Sequence, residues 1–262
     1  MSVRIEKSGS VWTVIHSRPE ARNAMDPVSA DALVAAFEQF DKDDSANVAV
    51  FWGEGGAFCA GWDLKSVSSL DQADPVGRLD FPKGGGKAPR GPLGPSRMEL
   101  SKPVIAAVEG PAVAGGMELA MWCDVRVMAQ SAYFGVYCRR WGVPLIDGGT
   151  VRLPRLVGIG RAMDLILTGR PVDADEAERI GLVTRVVPAG TAREHAEALA
   201  AELAAYPQTC LRNDRLSLLA QDGLEEDAAL RQELDHGVRS LEAGARSGAE
   251  RFRRGEGRHG AF

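Results

Sequence analysis

Two short glycine-containing stretches and one glutamate are the residues of this chain best suited to chemistry. The stretches Gly55-Gly-Ala-Phe-Cys-Ala-Gly-Trp-Asp63 and Gly110-Pro-Ala-Val-Ala-Gly-Gly-Met117 each follow an apolar run and lead into a segment of helical character. Such a strand-to-helix turn leaves backbone N–H groups unpaired at the positive end of a helix dipole. Two of them meeting at one point would make an oxyanion hole, a pair of donors for a carbonyl oxygen that gains charge. Glycine suits the position because it lets a ligand approach the main chain closely. Taken alone, the glycines fit two ordinary turns equally well. Glu118 stands three residues after Gly115, one helical turn along on the same face. Its neighbours Met117, Leu119, Ala120, Met121 and Trp122 are apolar. A carboxylate in that setting is either a partnered structural acid or a base whose pKa is raised by burial.

The elements that must hold these residues follow from the apolar pattern. Val11 to Ile15 reads as a strand after a turn at Ser8–Ser10, and Asp26 or Pro27 opens a helix. That helix runs to Phe40, with Leu33, Val34, Phe37 and Phe40 at helical spacing. Val48 to Trp52, bounded by Gly53, Gly55 and Gly56, reads as a buried strand. Further strands are expected over Pro103–Val108, Asp124–Met128 and Leu182–Val187, with a helix from about Met117. Asp173-Ala-Asp-Glu176 has the form of a capping box, opening a helix that Gly181 closes. From about Thr191 the pattern is helical almost to the end, where a basic tail begins at Arg251. Strands alternating with helices predict an α/β fold. Residues 71–97, rich in Gly, Pro and charge, predict a mobile loop between two ordered halves. Its GGGK at 84–87 is not a phosphate-binding loop, because Phe81 and Ala88 occupy positions where that motif needs Gly and Ser or Thr.

Composition closes off other classes. The 262 residues are 45% hydrophobic and 26% charged. A chain of this length buries about three quarters of its extended surface and needs no disulfide or metal staple. A formal net charge of −5 argues against nucleic acid as a partner. Cys59, Cys123, Cys138 and Cys210 form no C-x-x-C pair, and His16, His195, His236 and His259 have no ligand spacing, so no metal is expected. No G-x-S-x-G elbow is present. There is no apolar leader and no run approaching 18 apolar residues, so a cytoplasmic protein without membrane association is expected.

Four segments carry a resemblance: RPEARNAMD (18–26), GAFCAGWDLK (56–65), KPVIAAVEGPAVAGGMELAMWCDVRV (102–127) and DGGTVRLPRLVGIGRAMDLILTGRPVDADEAERIGLV (147–183). Through them the chain resembles the crotonase superfamily, the enoyl-CoA hydratases and isomerases. The resemblance implies a spiral of repeated ββα units over residues 1–190 with the acyl-CoA site. It implies a C-terminal helical region over 191–262 that trimerises, giving a homotrimer or a dimer of trimers. The implied substrate is an acyl-CoA thioester, with coenzyme A as part of the substrate and no separate cofactor. The oxyanion donors would be the N–H groups of Trp62 and Gly115, with Glu118 as general acid/base. Ala60 and Lys65 fall where the family meets the adenine and phosphates of CoA, Arg22 is a further CoA contact, and Phe252 and Arg253 lie where a neighbouring subunit completes the pocket.

One position departs from the family pattern. Hydratases of the family use two glutamates; Glu118 matches the first, but Cys138 stands where the second is expected. A thiol is a poor replacement for a carboxylic acid that orients water or protonates Cα. Asp147, before Gly148-Gly-Thr150, matches a position where some isomerases and a dehalogenase of the family keep a catalytic Asp. It would equally serve as a helix N-cap. The expected activity is hydration of a 2-enoyl-CoA. The alternatives are an enoyl-CoA or dienoyl-CoA double-bond isomerase using Glu118 and Asp147, or a non-catalytic acyl-CoA or RNA binder on the same scaffold.

Overall fold

Among the described residues there are nine strands: β1 Val3–Ser8, β2 Val11–His16, β3 Val48–Gly53, β4 Val104–Val108, β5 Ala112–Val113, β6 Val125–Ala129, β7 Tyr133–Gly135, β8 Pro171–Asp173 and β9 Arg185–Val187. The computed structural model describes residues 2–68, 71, 73–74, 79–86 and 88–256. One sheet has six strands in the order β1-β2-β3-β4-β6-β9, and a second has three in the order β5-β7-β8. Within the large sheet only β1–β2 is antiparallel. The central strands β2 and β4 are buried along their whole length, the mark of a parallel sheet covered on both faces. The edge strand β1 is largely exposed. It was not expected from the sequence, because four of its six residues are polar and the alternation breaks at Lys7-Ser8.

Two helices cover the large sheet from opposite sides. Helix α1 (Pro27–Lys42) begins with Asp26 as N-cap, whose carboxylate accepts from Ser29 N at 2.7 Å, and with Pro27 at the first helical position. Its Phe40 meets the ring of Trp12 on β2. Helix α7 (Ala192–Ala205) packs on the other face, where Glu197 accepts from the hydroxyl of Thr13. Consecutive strand residues point to opposite faces, so Trp12 and Thr13 mark the two layers. The boundary expected at residue 190 therefore falls just before a helix that belongs to the sheet's own core: Ala192, Ala196, Leu199 and Ala200 are all buried.

The remaining helices are α2 (Leu64–Val67), α3 (Gly115–Trp122), α4 (Gly149–Val157), α5 (Ile159–Thr168), α6 (Ala174–Arg179), α8 (Gln208–Ala220), α9 (Glu226–Ser240) and α10 (Arg246–Arg253), with a π turn over Leu241–Ala245. Asp173 caps α6 by accepting from Glu176 N, but Glu176 does not answer; its carboxylate pairs with Arg170 instead. Helices α8 and α9 pack on each other, and α8 is tied to the core by Arg215, which donates to Asp124 and to Leu100 O. Leu218, Leu219, Leu230, Leu234 and Leu241 remain exposed there.

The expectation of a loop throughout 71–97 needs correction. Residues 91–96 are buried, and Pro95–Arg97 forms a 3-10 turn. Gly91 and Gly94 exchange backbone hydrogen bonds of 3.0 and 2.9 Å, closing a tight bend that fits against the core. Lys87, His259 and the rest of the tail beyond Glu256 lie outside the described residues.

Candidate active site

Pairing between two short extended segments brings the glycine turns together. Cys59 bridges Ala112 in parallel, with Phe58 N donating to Pro111 O at 3.0 Å and Val113 N to Cys59 O at 3.0 Å. The chain then turns at Gly61 (φ +88°), where a Cβ would stand 2.9 Å from Gly115 N and 2.8 Å from Ala114 Cβ. Only glycine allows that approach. Met25 bridges Trp62: Met25 N donates to Gly61 O, and Asp63 N donates to Met25 O. Those bonds use the groups on either side of Trp62, leaving its N–H outside the pairing. Gly115 is the first residue of α3, so its N–H has no partner within the helix. The preceding Ala114 is held at φ +54°, ψ −125°, a strained conformation for a residue with a side chain. The two unused donors thus belong to adjoining turns.

A cavity of about 180 Å³ opens at this junction. Ala60, Trp62, Gly115, Glu118, Cys138 and Asp147 all line it. Leu93, Tyr137, Val143 and Ile146 supply apolar wall, and the largely exposed Trp141 stands at it as well. Six of the ten expected site residues are therefore gathered in one place. Lys65 is exposed on α2, next to the cavity residue Leu64, and is not part of the lining. Arg22 is exposed, with its backbone in the left-handed region, and its carbonyl accepts from Ala60 N at 3.1 Å. Phe252, 62% exposed on α10, and Arg253 beside it are not in the lining contributed by this chain.

Glu118 is only 2% exposed. Its Oε1 accepts from Asp147 N at 2.9 Å and from Gly149 N at 2.7 Å. Burial, reinforced by the nearby Asp147 carboxylate, pushes the Glu118 pKa up to about 8, although the two backbone donors pull the other way. Asp147 is also buried, and burial raises its pKa too. Its Oδ1 accepts from Leu93 N at 3.1 Å and from the Ser96 hydroxyl. Both partners come from the segment read as a loop. The helix-cap alternative for Asp147 does not hold, since Gly148 occupies the N-cap of α4 and no side chain caps that end. Cys138 sits in a 3-10 turn, Tyr137–Trp141, with its thiol pKa raised by burial and by Glu118.

Sequence reasoning missed Leu93, Ser96 and Arg152. Arg152 donates from Nη1 to Asp147 O and from Nη2 to Ser96 O, at 2.9 and 2.8 Å. The available signal was the pair of glycines around Pro92-Leu93, which marks a tight turn rather than a loose loop.

The Enoyl-CoA hydratase/isomerase family description matches residues 6–252 of this sequence. The chain belongs to that family. It is 34% identical over 242 residues to the enoyl-CoA hydratase EchA19 of Mycobacterium tuberculosis strain H37Rv, covering 90% of this chain and 86% of the relative. The crystal structure of enoyl-CoA hydratase EchA1 from Mycobacterium marinum superposes with a TM-score of 0.87 at 30% identity, covering 97% of this chain and 96% of that one. An enoyl-CoA hydratase structure from Mycobacterium tuberculosis H37Rv gives a TM-score of 0.87 at 31% identity, with the same coverage. The fold is the crotonase fold, with its C-terminal helical region present. Membership makes the protein an enzyme of the enoyl-CoA hydratase/isomerase type. Among the described residues, no helix is long and apolar enough to cross a membrane.

Proposed function

We propose that the protein hydrates 2-enoyl-CoA thioesters, with the amides of Trp62 and Gly115 as the oxyanion hole and Glu118 as general acid/base. One observation carries this reading: two buried carboxyl groups, Glu118 and Asp147, share a single cavity with two unused amides on adjoining turns. The thioester oxygen bonds to both amides, and as water adds to Cβ the negative charge collects on that oxygen. Each such donor is worth roughly 10²–10³ in rate. Glu118 takes the proton from water, and a second group returns a proton to Cα. Cys138 suits that second task poorly because its thiol pKa is raised, whereas Asp147 lies in the same cavity. Two carboxyl groups facing one cavity resist double ionisation, so one proton shared between them supplies both a base and an acid.

Double-bond isomerisation is the second reading, favoured by Cys138 in place of a second glutamate. There Glu118 removes a proton and Asp147 returns one further along the acyl chain. The exposed leucines of α8 and α9 support assembly as a homotrimer or a dimer of trimers, which analytical ultracentrifugation measures. The deciding experiment incubates the purified protein with crotonyl-CoA and with a 3-enoyl-CoA, beside Glu118→Gln. Formation of 3-hydroxybutyryl-CoA that falls at least a hundredfold in the variant supports hydration through Glu118. Product from the 3-enoyl substrate alone selects isomerisation, and activity within about twofold of wild type removes Glu118 from the mechanism.

A further inference from the structure

We propose that the segment 91–97 is a buckle that sets the geometry of the acid pair, with Ser96 and Arg152 as its positioning residues. The inference deepens the reading of Glu118 and Asp147 as proton carriers and rests on it. Four features build the buckle.

First, its bend is closed by the paired backbone bonds of Gly91 and Gly94, which present Leu93 N–H to Asp147 Oδ1 at 3.1 Å. Second, the Ser96 hydroxyl donates to the same Oδ1, with Ser96 itself 1% exposed. Among the described residues Oδ2 accepts no hydrogen bond, so it is the oxygen left for a substrate. Third, the half-buried fork of Arg152 bridges Asp147 O and Ser96 O, riveting the buckle to the turn that precedes α4. That turn holds Glu118, because its Asp147 and Gly149 amides are the two donors on Oε1. Fourth, the Leu93 side chain lies so close to Gly115 that a Cβ there would collide with it. Gly91 is held the same way, since a Cβ on it would collide with Ser96 Oγ and Asp147 Oδ1.

The segment therefore reaches Asp147, Glu118 through the Asp147 amide, and Gly115 without contributing a reacting group. Shifting Ser96 moves Asp147 directly, and moves Glu118 through the peptide N–H of Asp147. The titratable and charged groups acting on Asp147 are Glu118 from α3, Arg152 from α4, Arg97 from the buckle and the Cys59 thiol; Cys138 acts on Glu118. The Ser96 bond favours the ionised form of Asp147. Removing the hydroxyl leaves that carboxyl, the proton donor of the pair, protonated to higher pH and moves the alkaline limb of the rate profile upward.

The test measures kcat and KM from pH 5 to 10 for wild type, Ser96→Ala and Arg152→Lys, each shown folded by its thermal melt, on whichever of crotonyl-CoA or a 3-enoyl-CoA is turned over. For Ser96→Ala the expected result is a kcat about tenfold lower, the loss of one hydrogen bond to a charged group, with KM within about twofold and the alkaline limb displaced upward by about half a unit or more. A ¹³C carboxyl titration of Asp147 reads the same displacement without turnover. Arg152→Lys keeps a positive charge but loses the fork, and is expected to lower kcat with KM held; it decides the matter if the alanine variant does not fold. A folded Ser96→Ala enzyme with wild-type kcat and alkaline limb overturns the proposal, as does a loss of rate with that limb in place. Glu118→Gln, run alongside, separates the two levels. If it stays active, the reading of the site fails; if it is inactive while Ser96→Ala behaves as wild type, only the buckle fails.

Discussion

Replacing Gly149 by alanine perturbs Glu118 while touching little else. Gly149 opens α4, donates to Glu118 Oε1 at 2.7 Å, and would place a Cβ 2.9 Å from that oxygen and 3.0 Å from Glu118 Cγ. Carbon atoms pack best at about 3.5–4.0 Å, so Glu118 must retreat by roughly half an ångström. A displacement of about 1 Å of a reacting group costs roughly 10² in rate, so half of that is worth about tenfold in kcat. The fold is not expected to suffer in proportion, because alanine is the better helix former and reduces the freedom of the unfolded chain. The assay follows loss of the enoyl-thioester absorbance of crotonyl-CoA, beside a thermal melt. The account predicts kcat near one tenth of wild type with a melting temperature within about 4 °C. A variant with kcat within twofold of wild type would refute the idea that the position of Glu118 on its two amides limits the reaction.

Other outcomes follow from buried groups. His16 is wholly buried, both its ring nitrogens lack a partner among the described residues, and burial lowers its pKa from 6.5 to about 4. The folded protein therefore binds fewer protons than the unfolded chain between those values, so stability present above pH 6.5 declines toward pH 4, by up to about 3 kcal/mol. Urea unfolding at pH 8, 6 and 4.5 measures this, and His16→Gln should flatten the slope. Glu118 has the opposite sign: with its pKa raised from 4.5 to about 8, its stabilising contribution is complete below pH 4.5 and is lost as pH rises through 8. Glu118→Gln should thus be more stable than wild type at pH 9, by up to about 5 kcal/mol, and no more stable at pH 4. Iodoacetamide at pH 7.5 should alkylate the exposed Cys210 well before Cys138, whose thiol is buried beside Glu118; peptide mass spectrometry after brief exposure reads the order.

Much of the architecture could be read from the chain because its signals are local. The runs around Val50 and Ile105 are continuous and apolar, as strands buried on both faces must be, and Asp26-Pro27 announces α1 within four residues. The glycine turns and Glu118 were found for the same reason: helical spacing relates Gly115 to Glu118 directly. What escaped reading depends on contacts across sequence. Ser96 and Asp147 are 51 positions apart, and Ser96 and Arg152 are 56 apart, so no spacing rule connects them. The Gly- and Pro-rich composition of residues 71–97 suggests disorder throughout, yet residues 91–96 are buried because two glycines close a bend that fits the core. The capping alternative for Asp147 came from a sound propensity, overridden here by the donors that Leu93 and Ser96 offer to the same carboxylate.

The most direct test is a crystal structure of the Glu118→Gln enzyme with crotonyl-CoA bound. The account predicts the thioester oxygen within about 3.2 Å of both Trp62 N and Gly115 N, with Cβ facing residue 118. A thioester oxygen bonded to neither amide, or to only one of them, would contradict it.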